Sequence, residues 1–577
     1  MGNRPRKWIP AAISSTLILV ICAVAGFGYI RDRYSPSKER ADLNDLYRIT
    51  SPDEAAVLVN NLLTEEKARL RDGEAYLAWT YVTEALSKRV YIDERERLLL
   101  YALPDQVVRV AEGTKLSEFT GQAGEKDALV WYEEDAVFYI SATYISRFVN
   151  LTFELYEEPG RLYIDTAEGL YQQAEVSSDT QLRRLGGIKS EIVADVEAGA
   201  MVTVLDAMED WSQVRTADGW TGYIRNSDLG ASQVAEKVSS FSEPVYTSQT
   251  RDHEICLVWH QVFDQDGNDN LENLLAEAQG VNTISPTWFS LSDNEGNFTS
   301  LADTGYVETA HARGLEVWGL VDNFSSDIST YEILSRTSSR TALIGNLIQA
   351  AKEYGLDGIN IDFESIKEES GPHFVQFIRE LSVECRANGI VLSIDNNVPT
   401  AGTSFYDRKE QGIVADYVII MAYDEHWRTS DAGSTSSLPF VQAGLERTLE
   451  EVPQNKVING LPFYTRVWRF DPEAEIAEGA DPLSAEYVLE STAVGMDRAR
   501  RNLVEGGAEL TWNEETGQYY GEYEEDGSLC RIWLEDAESI ERKLDVTASF
   551  DVAGVAFWKL GLESAEVWQK VAAYMER

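Results

Sequence analysis

The 577-residue chain is short of cysteine, histidine and positive charge. Its four cysteines, Cys22, Cys256, Cys385 and Cys530, are too few and too scattered for a disulfide scaffold, and none stands in a CxxC pair that would hold a metal. An isolated cysteine packs as a small apolar side chain. Among the five histidines, His253, His260, His311, His373 and His426, no two have the spacing of a helical or hairpin ligand pair, so neither a catalytic metal nor a cofactor is expected. With 50 basic against 97 acidic side chains the formal charge is -47. Such a surface repels phosphate backbones and anionic lipid over a Debye length, which excludes nucleic acid as a partner and leaves solubility as the use of the acidity. The glycine-rich loops GxGxxG and GxxxxGK[ST] are also absent, which removes the main support for a doubly wound nucleotide-binding sheet. What remains is an ordinary globular composition, 44% hydrophobic and 25% charged. A single core stops growing at roughly 250 to 300 residues, so the length calls for two to four domains.

One long apolar run is present, from about Trp8 to Ile30, preceded by Arg4, Arg6 and Lys7. It is long enough to cross a hydrocarbon core of about 30 Å, and the positive residues before it place the tail 1–7 inside and everything after Arg31 outside. The alternative is a cleaved signal peptide ending near Ala23-Val24-Ala25 before Gly26. From 31 to 70, Leu43, Leu46, Ala55, Leu58 and Leu62 have helical spacing, which predicts a helical stalk. Over 71–170 the chain repeats itself weakly: Tyr76, Thr80 and Tyr81 recur as Tyr139, Thr143 and Tyr144, each set followed by an apolar strand, from Arg97 and from Arg161. Two such strand-helix-strand units predict a small α+β module, which resembles the amine-oxidase N-terminal-like domain of exported bacterial proteins and implies a spacer or wall contact. From 171 to 230 short alternating strands with an Asp218-Gly219 hairpin signal predict a small β-barrel. Gly199, Trp211 and the closing Gly222-Tyr223-Ile224 make this stretch similar to a bacterial Src-homology-3-like domain, a class that implies a wall peptide as partner, with a plain spacer role as the alternative. Its usual Val-Arg opening is replaced by Arg183 and Leu185 with no obvious strand. The Ser-rich stretch 231–250 reads as a linker.

From 251 to 577 apolar runs alternate with helical patterns, and eight of them can be counted, starting at Ile255, Thr283, Val317, Gly358, Val391, Tyr417, Val457 and Val555. That is the pattern of an α/β TIM barrel, (β/α)8, with a small β-rich insertion at about 469–550. In the fourth run the strand period of two puts Asn360, Asp362 and Glu364 on one face and Ile359, Ile361 and Phe363 on the other. The polar face must be the barrel interior, where burying two carboxyls and an amide costs several kcal/mol. Glu364 stands at the strand's C-terminal end, where barrel active sites are built. Like charges this close raise a carboxyl's pKa, which would keep Glu364 protonated as a general acid.

The run Asp357-Gly358-Ile359-Asn360-Ile361-Asp362-Phe363-Glu364 resembles the DxxDxDxE signature of glycoside hydrolase family 18, the chitinase family. Ser285-Pro286, Met421-Ala422-Tyr423-Asp424 and Trp558 stand where that family has supporting motifs. The resemblance implies a retaining, substrate-assisted glycosidase in which Glu364 is the acid, Asp362 orients the substrate's acetamido group, Tyr423 donates to its carbonyl, Asp424 braces the site and Trp558 floors it. Met421, Asn360 and Asp357 complete the implied set, and His426 and Trp427 stand just beyond, at the cleft or on the surface. Asn360 departs from the usual middle Asp, and losing that charge is expected to make Asp362 easier to ionise. The implied substrate is an N-acetylated polysaccharide, peptidoglycan first, with chitin-like or glycoprotein glycans as the alternative and a non-catalytic glycan-binding role as a third.

Overall fold

In the computed structural model residues 8–120, 128–474 and 479–577 are described; the expected tail 1–7 lies outside them. The chain forms two compact units, Met1–Val90 with Val110–Glu243, and Tyr91–Arg109 with Pro244–Arg577.

The first unit opens on the helix Trp8–Tyr34, whose apolar stretch Ala12–Tyr34 buries nothing. Beyond it the expected helical stalk is not what forms. Only Leu43–Tyr47 is helical, while Glu54–Val59 and Leu62–Arg71 make an antiparallel hairpin. Its two-residue turn is Asn60-Asn61, both at positive φ (49° and 68°), the conformation that fits the strand twist and that asparagine tolerates. Ala55, Ala56 and Val57 are fully buried in a row, so their spacing reflected a central strand. The repeat is real: Glu74–Ala78 and Val137–Ser141 each run into a short helix and pair with one another. The single 71–170 module is not, because the strand following the first copy, Leu98–Ala102, belongs to the second unit. In the 171–230 region Thr180–Arg183 is a strand after all, pairing through Arg183 with Tyr223. The supposed linker also starts as a strand, Gln233–Lys237, added to Gly169–Glu175. The Asp218-Gly219 turn is anchored by Arg161, which donates to the Gly219 carbonyl and lies over the Trp220 ring at 3.5 Å.

The second unit is the barrel. Its strands are β1 (Ile255–His260), β2 (Thr283–Leu291), β3 (Glu316–Asp322), β4 (Gly358–Asp362), β5 (Val391–Asn397), β6 (Tyr417–Met421), β7 (Val457–Pro462) and β8 (Gly554–Trp558). All pair in parallel, and β1 closes the ring by pairing with both β2 and β8. At that seam Gly554 has φ +154°, and a Cβ there would stand 2.0 Å from the Ile255 carbonyl oxygen. Ile359, Ile361 and Phe363 point out to the helix layer beside Phe374 and Phe377, whereas Trp259, Trp318, Leu320, Tyr417 and Ile419 fill the interior. Between β7 and β8 comes the inserted lobe, a five-stranded sheet from Tyr464 to Leu534 with the helix Met496–Glu505. It starts and ends earlier than the expected 469–550, since Ala537–Ala548 is a barrel helix. The helices α1 (Thr330–Ser335), α2 (Thr337–Tyr354) and α3 (Gly371–Asn388) flank β3 to β5.

Candidate active site

The barrel's C-terminal mouth opens into a cleft of about 560 Å³. Glu364, Asp362, Tyr423, Asp424, Met421 and Trp558 all line it, so β4, β6 and β8 deliver six of the eight expected residues to one place. The strand β4 ends at Asp362, which leaves Glu364 half-buried in the first turn beyond it. Asn323, just after β3, brackets the Glu364 backbone. Its Oδ1 accepts from the Glu364 N–H at 2.9 Å and its Nδ2 donates to the Glu364 carbonyl at 3.0 Å. Burial, then Asp424 and Asp322, raises the Glu364 carboxyl above its usual range, as a general acid near neutral pH requires.

Asn360 does not reach the cleft. It is wholly buried beneath it, where Oδ1 accepts from Trp259 Nε1 (2.9 Å) and Ser285 Oγ (3.0 Å) while Nδ2 donates to Ser393 Oγ (3.0 Å) and Asp395 Oδ1 (2.8 Å). Every hydrogen-bonding capacity of the amide is thereby used, and the residue acts as a floor tie between β1, β2, β4 and β5. Asp357 is placed at the opposite end of the strand, because a residue preceding β4 faces the barrel's N-terminal rim. There its Oδ2 accepts from the Val317 N–H and meets His311 Nε2, both at 2.8 Å. Its expected part in binding substrate is corrected to one in fixing the start of β3 and β4.

The charge missing at Asn360 returns from the next strand. Asp395, on β5, is buried and lines the cleft, with one oxygen held by Asn360 and the other, like Asp362 Oδ1, without a hydrogen-bond partner among the described residues. Burial and then Asp395, Glu364 and Asp322 hold the Asp362 carboxyl well above the usual carboxylate range. The charge whose loss at Asn360 was expected to make Asp362 easier to ionise is thus present at Asp395. Sequence could have flagged Asp395, since in Val391-Leu392-Ser393-Ile394-Asp395 it shares the inward face with Ser393, but one strand alone does not show what lies across from it. Asp322, at the end of β3, was missed for the same reason; Ser290 Oγ and the Phe324 N–H donate to it at 2.8 and 3.0 Å.

Tyr423 keeps its hydroxyl proton, because burial, Asp362 and Asp395 push it well above its ordinary value, so it has a proton to donate to an acceptor in the cleft. Asp424 sits at positive φ (55°) and is caught from the inserted lobe, where Tyr464 Oη donates to its Oδ1 at 2.6 Å and Arg466 at 3.0 Å. Trp558 packs on Trp259 with ring centroids 5.9 Å apart, and Trp259 meets Tyr423 edge-on at 6.4 Å. Two further aromatics on the wall, Phe263 and Phe324, are 74% and 57% exposed, which leaves their faces to whatever fills the cleft. His426 and Trp427 are not among the cleft residues. His426 Nδ1 meets the Asp431 carbonyl and Trp427 Nε1 donates to Thr429.

A closed parallel barrel with carboxyls and aromatics at its C-terminal mouth can serve many chemistries, and the family matches narrow them. Residues 310–563 are a domain of Glycosyl hydrolases family 18, and residues 178–230 are a Bacterial SH3 domain. The segment 310–563 thus carries a glycoside hydrolase domain. It is 27% identical over 253 residues to the cortical fragment-lytic enzyme of Bacillus anthracis, an alignment covering 43% of this chain and 56% of that protein. It is 24% identical over 298 residues to chitinase B of Serratia marcescens, covering 39% of this chain and 58% of the relative. The chain thus spans little more than half the length of these two relatives. Among solved structures, the spore cortex-lytic enzyme SleL of Bacillus cereus superposes with a TM-score of 0.49 at 21% identity, over 60% of this chain and 77% of that one. The amine-oxidase-like domain expected over 71–170 is not shown.

Proposed function

We propose that the protein hydrolyses β-linked N-acetylhexosamine polymers outside the cell, peptidoglycan foremost, with retention at the anomeric carbon. The observation that carries this reading is the raised carboxyl of Glu364 lining one cleft with a buried Asp362 and a Tyr423 hydroxyl that keeps its proton. Glu364 gives its proton to the glycosidic oxygen as the bond to the anomeric carbon breaks. The substrate's own acetamido oxygen closes on that carbon to form an oxazolinium ion, with Asp362 accepting from the acetamido N–H and Tyr423 donating to the carbonyl oxygen. The Glu364 carboxylate then takes a proton from water, whose oxygen reopens the ring and restores the acid. Asp424, held by Tyr464 and Arg466, braces the site, and Trp558 lies under the sugar. No step needs a metal or cofactor.

Peptidoglycan is supported by the cortex-lytic relatives, by the bacterial SH3 domain, for which a wall peptide is the natural ligand, and by the exposed apolar helix, read as a membrane anchor with the catalytic unit outside. The likeness to chitinase B favours a second reading, chitin-like polymers. Incubating the protein with purified wall sacculi and with N-acetylglucosamine oligomers, and reading the new ends by mass spectrometry, separates the two. Release of reducing N-acetylglucosamine ends from sacculi is expected. Turnover of de-acetylated chains at an equal rate would refute substrate assistance.

A further inference from the structure

The strands Tyr91–Asp93 and Leu98–Ala102 form a hairpin that belongs to the barrel unit although the chain reaches β1 only at Ile255. Helix α2 begins without a side-chain cap of its own. Its first N–H groups are met from the hairpin. The buried Asp93 accepts from both the Thr337 N–H and the Thr337 hydroxyl at 2.6 Å, while its other oxygen accepts from the Arg95 and Glu96 N–H groups of its own turn (3.0 and 2.9 Å). Glu96 takes the Ser338 N–H at 2.9 Å and the Ser338 hydroxyl. Two carboxylates thus stand at the positive end of an 18-residue helix. One helix earlier, Arg95 grips Glu332 of α1 with both terminal nitrogens, at 2.5 and 2.9 Å, and its guanidinium lies 5.4 Å from the Tyr331 ring. The ties continue inward. The first residue of α1, Thr330, accepts at its hydroxyl from Asn323 Nδ2 at 3.0 Å, and Asn323 is the side chain that brackets the Glu364 backbone.

We propose that this hairpin is a positioning element for the catalytic acid: the Arg95–Glu332 pair and the Asp93 and Glu96 caps fix α1 and the start of α2, and through Thr330 and Asn323 they hold Glu364 in place. The inference rests on the reading of Glu364 as the acid. It assigns Arg95, Asp93, Glu96, Thr330 and Asn323 a part in turnover that none of them has by contact with substrate. Arg95 and Glu332 are partly exposed, so removing either leaves no buried charge behind, and the fold should survive.

The test compares full-length Arg95→Ala, Glu332→Ala and the double variant with the parent, using Glu94→Ala, on the exposed tip of the same hairpin, as control. Hydrogen–deuterium exchange is followed in the peptides holding Asn323 and Glu364. On the 4-nitrophenyl glycoside of an N-acetylglucosamine dimer, kcat, KM and the pH profile are measured. Expected are faster exchange at Glu364, a fall in kcat of about tenfold with KM within about twofold, and a double variant no worse than either single one. Water admitted around Glu364 would also ease its ionisation among Asp322, Asp362, Asp395, Asp424, Tyr406 and Tyr423, moving the alkaline limb of kcat to lower pH. Arg95→Lys should recover part of the loss. Unchanged exchange at Glu364 in both single variants overturns the proposal. If the parent turns over neither this glycoside nor sacculi, the functional reading fails, and the exchange result alone still decides whether the hairpin holds Glu364.

Discussion

Three buried or half-buried carboxyls crowd the end of β4 and β5; burial, Asp395 and Glu364 make Asp362 harder to ionise, and burial, Asp424 and Asp322 do the same for Glu364. For Glu364 the consequence is catalytic. Glu364→Gln keeps size and hydrogen bonding but has no proton to give, so kcat should drop by about 10² to 10⁴ while sugar binding, read by calorimetry, persists. For Asp395 the consequence is thermodynamic. Its folded pKa lies above the unfolded one, so the folded state binds the proton more tightly and stability is lost as pH rises from the unfolded value towards the folded one. Asp395→Asn keeps an acceptor for Asn360 and removes the repulsion. It should raise the thermal midpoint by about 2 °C at pH 7, show no gain near pH 3, and lower kcat, a stabilising change that costs function. A scan at the two pH values, paired with turnover, reads all three. Most of these residues were legible because β4 writes its polar face every second residue. Asp395 and Asp322 were not, since each is one acidic residue on a strand whose neighbours across the barrel no local pattern reveals.

The eight barrel strands could be counted from the chain because each is a short apolar run buried on both sides, bounded by helical patterns. The stalk was misread because a central strand and a helix both write runs of alanine, valine and leucine, and the decisive signal was the Asn60-Asn61 turn. The hairpin Tyr91–Ala102 looked like part of its sequence neighbour because its partners, such as Thr337, stand 244 positions away. Helix Ala537–Ala548 shows how the inserted lobe is joined back to the barrel. Its Lys543 makes a fully buried pair with Glu535 at 2.8 Å, and Glu535 also accepts from Gln518 and Ser539. Lys543→Met would leave that carboxylate without its counter-charge and should cost about 3 to 5 kcal/mol, seen as a lower urea midpoint. Lys543→Met combined with Glu535→Gln should recover much of the loss, whereas an equally low midpoint in the double variant would mean that packing, and not charge, holds the junction.

The proposed reading of the exposed apolar helix and of the catalytic unit would give the protein two addresses, lipid and polysaccharide. Full-length protein should sediment with membranes, and a version lacking residues 8–30 should stay soluble with kcat unchanged. A product beginning near Gly26 in the medium would show instead that the helix is removed after export. The discontinuous make-up of the catalytic unit also sets a schedule. Residues 91–109 are synthesised first, and at about 5 to 20 residues per second the start of α2 follows only some 10 to 50 seconds later. Throughout that interval Asp93 and Glu96 lack the amides they will cap, and the intervening residues up to Glu243 can complete the other unit meanwhile. The barrel can thus close only once β8 has been made, so the hairpin made earliest waits longest for the partners it holds.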